Sequence, residues 1–350
     1  MVTSAAMKRL PAFGVLRGGV AVAVAVCVSA LQARDVRPAQ RGVDAAAAPA
    51  GELEVLHLRP NFYMIAGGGA NIGVQVGEDG VVVVDGGSAA DASSIVAAIK
   101  KISPAPIRYI ISTSADPDHV GGNETISKAG ETLLLGNPVI GRAGTSNESG
   151  PASILAVEQV LARMSGPAGQ PSPFSVDSWP TETFGGRKNM YLNGEGIEVI
   201  HQPAAHSDGD SIVFFRRSDV IVVGDILDTD RFPVIDVARG GSIQGEIDAL
   251  NRLVAMAIPS VPIVTREAGT SVIPGHGRVY DQFDVVFYRD MITIIRDRVR
   301  DMRAAGMTLE QVKAASPAKG YAGRYGSDSG PWTTNDFIEA VYRSLEQVKR

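Results

Sequence analysis

Among its 350 residues the chain holds a single cysteine, Cys27. It falls in a stretch that reads as a removable leader, which excludes disulfides and thiolate metal ligands from the rest and leaves only nitrogen and oxygen donors. Lys and Arg form no block anywhere, and 33 of them against 38 Asp and Glu give a net charge of −5. Phosphate contacts need clustered cations, so nucleic acid is excluded as the main partner. The apolar run at residues 18–31 (GGVAVAVAVCVSAL) is too short to cross a bilayer as an ordinary helix.

Lys8, Arg9 and Arg17 precede that run, and Val28-Ser29-Ala30 offers small residues for cleavage, with Ala33 a second site. Residues 1–33 are therefore read as a signal peptide, which places the mature protein in the periplasm or outside the cell. An uncleaved anchor is the alternative; lipid attachment at Cys27 is disfavoured by the bulkier Val26 before it. Either way the membrane is met only through the export signal. Residues 34–50 lack periodicity and end in an alanine-rich piece, the composition of a flexible linker. With 45% hydrophobic residues overall, 51–350 can bury a large core.

Short β-rich pieces at 53–58, 62–66, 71–76 and 81–84, separated by Gly67-Gly68-Gly69 and Glu78-Asp79-Gly80, predict an antiparallel meander. The valine run at 81–84 ends in Asp85-Gly86-Gly87, a helix is expected over about 90–101, and a strand follows at 107–111. Strand, helix, strand in this order places both strand ends at one sheet edge, with Asp85 on the same rim as the next loop. That loop, Ile111-Ser112-Thr113-Ser114-Ala115-Asp116-Pro117-Asp118-His119-Val120-Gly121-Gly122-Asn123, organises the rest. Carboxylates and an imidazole presented from a loop behind a buried strand are a natural beginning for a metal site.

Further on, a helix is expected over 152–164, a Pro- and Gly-rich loop over 166–180 that is long enough to control access, and strands at 181–184, 188–192, 197–201, 211–215 and 220–223. His206 lies in the loop Ala205-His206-Ser207-Asp208-Gly209-Asp210, and Asp225 follows Gly224 at the end of an apolar strand. His276 sits in Pro274-Gly275-His276-Gly277, after a strand at 271–273 and a helix at 244–256. His201 matches no motif and is read as structural. Helices are expected over 281–303, 309–315 and 335–348, as an extension from about 281 packed outside the core, with Gly330-Pro331-Trp332 able to close over a cleft.

The loop around Asp118 resembles the signature of the metallo-β-lactamase superfamily, T-H-x-H-x-D-H followed by G-G-N, through Thr113, Asp118, His119, Gly121, Gly122 and Asn123. It departs twice: Ser114 and Asp116 stand where that family has its first two histidines. His206, Asp225 and His276 match later family elements in the family's order, over roughly residues 53–280. The resemblance implies a four-layer αββα sandwich of two mixed sheets with helices outside. It also implies a metal set of Asp118, His119, His276 and the bridging Asp225, and a second set in which Asp116 and His206 join Asp225. Asp85 is implied to support the ligands from behind; a turn or helix-capping role is the other reading.

Zn is the expected ion, as one or two equivalents, and the extra carboxylate opens the site to Fe or Mn. A single cation at the intact set, or a site that binds metal poorly, are the other outcomes. The function expected is an exported metallohydrolase that attacks a small ester, thioester, amide or lactam with cation-activated water, Asp118 orienting the nucleophile and passing on the proton. The alternatives are a β-lactamase and a non-catalytic periplasmic binding protein.

Overall fold

The four consecutive valines at 81–84 are all buried, Val82 and Val84 in one apolar cluster and Val81 and Val83 in another. A strand turns successive side chains to opposite faces, so this run lies between two layers. The computed structural model describes residues 52–133, 150–167, 169–261 and 269–347. The expected signal peptide and linker lie outside the described residues. The chain divides into 1–46, none of it described, and 47–350.

The described part opens with β1 (Glu54–Arg59), β2 (Phe62–Ala66), β3 (Ile72–Gly77) and β4 (Gly80–Val84), then α1 (Ala92–Ile102) and β5 (Ile107–Ile111). Next come α2 (Pro117–Val120), α3 (Asn123–Lys128), β6 (Ser153–Val157), α4 (Glu158–Ser165) and β7 (Glu182–Phe184). The second half supplies β8 (Arg187–Leu192), β9 (Glu195–Gln202), β10 (Asp210–Phe215), β11 (Val220–Val222), α5 (Ile243–Met256) and β12 (Ser271–Ile273). It ends with α6 (Gln282–Ala304), α7 (Leu309–Ala315), α8 (Lys319–Tyr325) and α9 (Thr334–Gln347).

Seven strands form one sheet in the order β1-β2-β3-β4-β5-β6-β7, and five form another in the order β12-β11-β10-β9-β8. The meander β1 to β4 is antiparallel as expected, while β4, β5, β6 and β7 run parallel. Both sheets are therefore mixed, since β11 and β12 are parallel beside antiparallel neighbours. Three apolar clusters fill the gaps between four layers. Phe62, Val84 and Leu155 of the first sheet meet Val199, Phe215 and Val222 of the second. The outer face of the first sheet packs on Ile95 and Ile99 of α1 and Ile126 of α3. The outer face of the second packs on α5 and the C-terminal helices, through residues such as Leu250, Tyr288 and Phe337. This is the αββα sandwich.

Three sequence expectations are corrected. The first part of the helix expected over 152–164 is β6, because Ile154, Leu155 and Val157 fit a strand buried on both faces between β5 and β7; only α4 is helical. Helix α8 was not foreseen, its KGYAGRY being poor in apolar periodicity. The helices from 282 onward are one wall of a core rather than an external tail, and Trp332 packs against that core instead of over a cleft. No helix among the described residues is long and apolar enough to cross a membrane.

The loops after β4 and β5 are zipped together backbone to backbone, with Gly86 N donating to His119 O at 2.6 Å and Gly122 N to Gly87 O at 3.0 Å. A Cβ on Gly122 would lie 2.1 Å from Gly86 O, so only glycine admits this approach. Gly122→Ala is expected to destabilise the fold by about 1–3 kcal/mol, read as a lower denaturant midpoint at unchanged slope.

Candidate metal centre

Each candidate ligand stands on a loop or turn that follows a strand. Asp116 precedes α2, which begins at Pro117 and carries Asp118 and His119 in a single turn beyond β5. His206 lies between β9 and β10, Asp225 directly after β11 and His276 directly after β12. Adjacent strands of the second sheet thus place the three late residues at one rim, and the parallel pairing of β4 with β5 brings Asp85 and the 111–123 loop to the facing rim.

The side chains converge as two groups that share Asp225. His119 Nε2 lies 3.1 Å from Asp225 Oδ1, His276 Nε2 lies 3.5 Å from the same oxygen, and Asp118 Oδ2 is 3.2 Å from His276 Nε2. On the other side, His206 Nε2 lies 2.9 Å from Asp116 Oδ2 and 3.9 Å from Asp225 Oδ2. Ligand atoms of Asp118, His119 and His276, and separately of Asp116, His206 and Asp225, fall within 4.8 Å of one another. Most of them open into a cleft of about 130 Å³, which Asp228, Arg231 and Val234 also line.

The imidazoles are held from behind. Asp85, in the left-handed backbone region at φ 66°, accepts from Thr113 N at 2.7 Å and Thr113 Oγ1 at 2.6 Å, while its Oδ2 sits 2.9 Å from His119 Nδ1. It caps no helix; what its carboxylate does is fix the His119 ring, so that Nε2 faces Asp225. His206 is fixed by its Nδ1, 2.8 Å from Val234 O. Removing such a partner commonly weakens metal binding ten- to a hundredfold. For Asp85→Ala a loss of about that size is expected in a competitive chelator titration.

Burial opposes charge on His119, His206 and His276, but the carboxylates outweigh it. Asp225 and Asp85 raise His119 well above its ordinary value, Asp116 and Asp225 lift His206 to about 10, and Asp118 and Asp225 lift His276 to about 9. Burial likewise works against an ionised Asp225, yet His119, His276 and His206 hold it well below the usual carboxylate range. A field that favours a proton on each nitrogen favours a cation shared among them. His119 Nε2, moreover, is buried with no hydrogen-bond partner despite its closeness to Asp225. An orphaned imidazole nitrogen among carboxylate oxygens is a donor set that fits a divalent cation of borderline hardness.

Ser114 is buried and its Oγ accepts from Asp116 N at 3.2 Å, so the position of the family's first histidine adds no donor to either group. His201 Nε2 is spent on Asp208 O at 2.7 Å, away from both groups. Four residues escaped the sequence reading. Arg239 Nη1 donates to Asp116 Oδ1 at 2.6 Å, Arg231 pairs with Asp228 at the cleft mouth, and Glu246 is wholly buried with both carboxylate oxygens unpartnered. Asp228, three residues beyond Asp225, was within reach of inspection; the arginines and Glu246 belong to no local pattern.

A two-sheet sandwich whose strand ends deliver histidines and aspartates to one rim defines a class of metal-dependent hydrolases. The chain belongs to the metallo-beta-lactamase superfamily, whose sequence pattern matches residues 65–261. Over 271 residues it is 22% identical to a linear primary-alkylsulfatase of Pseudomonas sp. (strain ATCC 19151), covering 69% of this chain and 50% of that protein. The chain thus spans about half the length of that curated relative. Among solved structures, a double mutant of the sec-alkyl sulfatase PisA1 superposes at TM-score 0.55 and 13% identity, over 84% of this chain and 50% of that one. A metallo-beta-lactamase from Pontibacter korlensis superposes at TM-score 0.50 and 15% identity, over 69% of this chain and 99% of that one. At such identities the two structures speak for the fold alone.

Proposed function

We propose that this chain is an exported, metal-dependent hydrolase of esters or thioesters with an apolar body, sulfate esters among them. The observation that carries the reading is the convergence of the two donor groups on Asp225. Two features support the substrate class. A groove of about 680 Å³, lined by Ala115, Pro117, Ala162 and Phe174 with Arg163 and Arg239, lies beside Asp116, and its apolar wall suits an alkyl or acyl chain. The linear primary-alkylsulfatase, half of whose length the chain spans, is named for a substrate of that kind. Export rests on residues 1–33 read as a signal.

Asp118, His119, His276 and Asp225 would hold one cation, with Asp116 and His206 beside it. Bound there, a divalent cation lowers the pKa of water and polarises the group under attack. Asp225 anchors both groups, and Asp85 keeps the His119 ring turned toward it. Asp118, whose side chain is 40% exposed against 13% for Asp225, is the carboxylate that reaches the opening. It orients the attacking water and carries that water's proton to the leaving oxygen, or to the leaving sulfur of a thioester, as the bond breaks, so that acid and alcohol or thiol depart in balance.

Replacing Asp118 with Asn is expected to lower kcat by about 10²–10⁴ on p-nitrophenyl esters and alkyl sulfates, and to flatten the acid limb of the pH profile. Activity kept within threefold would give Asp118 the wrong role. Ser114, spent on its own loop, favours as second reading a non-catalytic binding protein. Metal content of the purified chain together with turnover on that panel separates the two.

A further inference from the structure

We propose that the Arg239 guanidinium does at Asp116 the neutralising that a second divalent cation would otherwise do, so that the chain holds one tightly bound cation, at Asp118, His119, His276 and Asp225. The inference rests on the metal-hydrolase reading and concerns how many ions serve it.

Both oxygens of Asp116 are already engaged, Oδ2 with His206 Nε2 at 2.9 Å and Oδ1 with Arg239 Nη1 at 2.6 Å. Arg239 is no stray surface side chain. It ends a short turn, residues 237–239, capped by Asp236, whose Oδ1 accepts from Arg239 N at 3.0 Å and whose Oδ2 lies 3.2 Å from Arg239 Nε. Arg163 Nη2 donates to Arg239 O at 2.9 Å, fixing the turn from the other side. A dication seated among Asp116, His206 and Asp225 would face this guanidinium across one carboxylate, and like charges at that range repel.

The donors are unequal as well. The group around His119 has four, and its buried Nε2 lacks a hydrogen-bond partner; the group around His206 has three, with Ser114 withdrawn. Arginine is suited to the task, since it stays charged at any working pH and its planar fork matches a carboxylate. Asp116, which looks like a replaced histidine ligand, becomes the acceptor for an internal cation.

The test is elemental analysis of the full chain after dialysis against metal-free buffer, for wild type, Arg239→Gln, Arg239→Lys and the double variant Arg239→Gln with Asp116→Asn. One equivalent of Zn is expected in wild type and in Arg239→Lys, two in Arg239→Gln, and one again in the double variant. Circular dichroism monitors folding of each, and Arg239 is half exposed, so its loss leaves the core intact. Two equivalents in wild type, or one in both wild type and Arg239→Gln, overturn the inference while leaving a metallohydrolase. No metal in any variant overturns the hydrolase reading along with it.

Discussion

Asp225→Asn is expected to cost at least about 10³-fold in hydrolysis, or about 4 kcal/mol of transition-state stabilisation, and to strip bound metal from the protein. Asp225 is the residue on which both donor groups depend, with His119, His276 and His206 Nε2 within 3.1, 3.5 and 3.9 Å of its two oxygens. An amide keeps the shape and removes the charge. It presents an NH₂ to one of those nitrogens and leaves the imidazoles without their common counter-ion. Metal content, measured alongside turnover, tells whether the loss comes through the cation. Retained metal with lost activity would assign Asp225 to the chemical step instead.

Glu246 should make the stability of the protein fall as the pH rises. It sits in the first turn of α5, fully buried, and burial together with the nearby charge of Asp210 raises its pKa well above the ordinary 4.5. The unfolded chain therefore releases this proton from about pH 4.5 upward while the folded chain keeps it. Fewer protons on the unfolded state means that stability declines with pH over that window, by about 1.4 kcal/mol per unit for one group. Asp210, lifted to about 7 chiefly by burial, acts in the same sense below that pH. Glu246→Gln cannot ionise and should reduce the decline, gaining on wild type as the pH rises from 5.5 to 7.5. Urea denaturation of both proteins across that range in excess chelator isolates the difference; parallel curves would show that Glu246 is charged in the folded state.

Most of the fold was legible because its signals are local. The meander, the β-α-β step into the 111–123 loop and the later strands are short apolar or alternating runs bounded by turn-forming or polar residues, and the structure finds them within a residue or two. Where a local pattern is ambiguous, the sequence misleads. Residues 152–164 suit a helix by composition, and only the free edge of β5 decides that the first part becomes a strand.

The same division runs through the site. His119, His206, Asp225 and His276 were visible because each has a neighbouring glycine or aspartate in a recognisable order. Arg239 touches Asp116 across 123 residues of sequence, and Glu246 comes near Asp210 only because α5 and β10 share one apolar cluster, so neither leaves a mark along the chain. Asp85 reads from the sequence as either a capping or a supporting carboxylate, because its contacts with Thr113 and His119 join residues 28 and 34 positions away and leave no local sign.

The loop that frames the cleft mouth is fastened to the end of the chain. Phe232 N donates to Tyr325 O at 2.9 Å, its ring stacks on Phe337, and the Tyr288 hydroxyl donates to Arg231 O at 3.1 Å. Loss of α8 and α9 is accordingly expected to remove the Tyr325 and Phe337 ties and uncover the core that α9 closes, leaving the Tyr288 hydroxyl alone to hold Arg231 O.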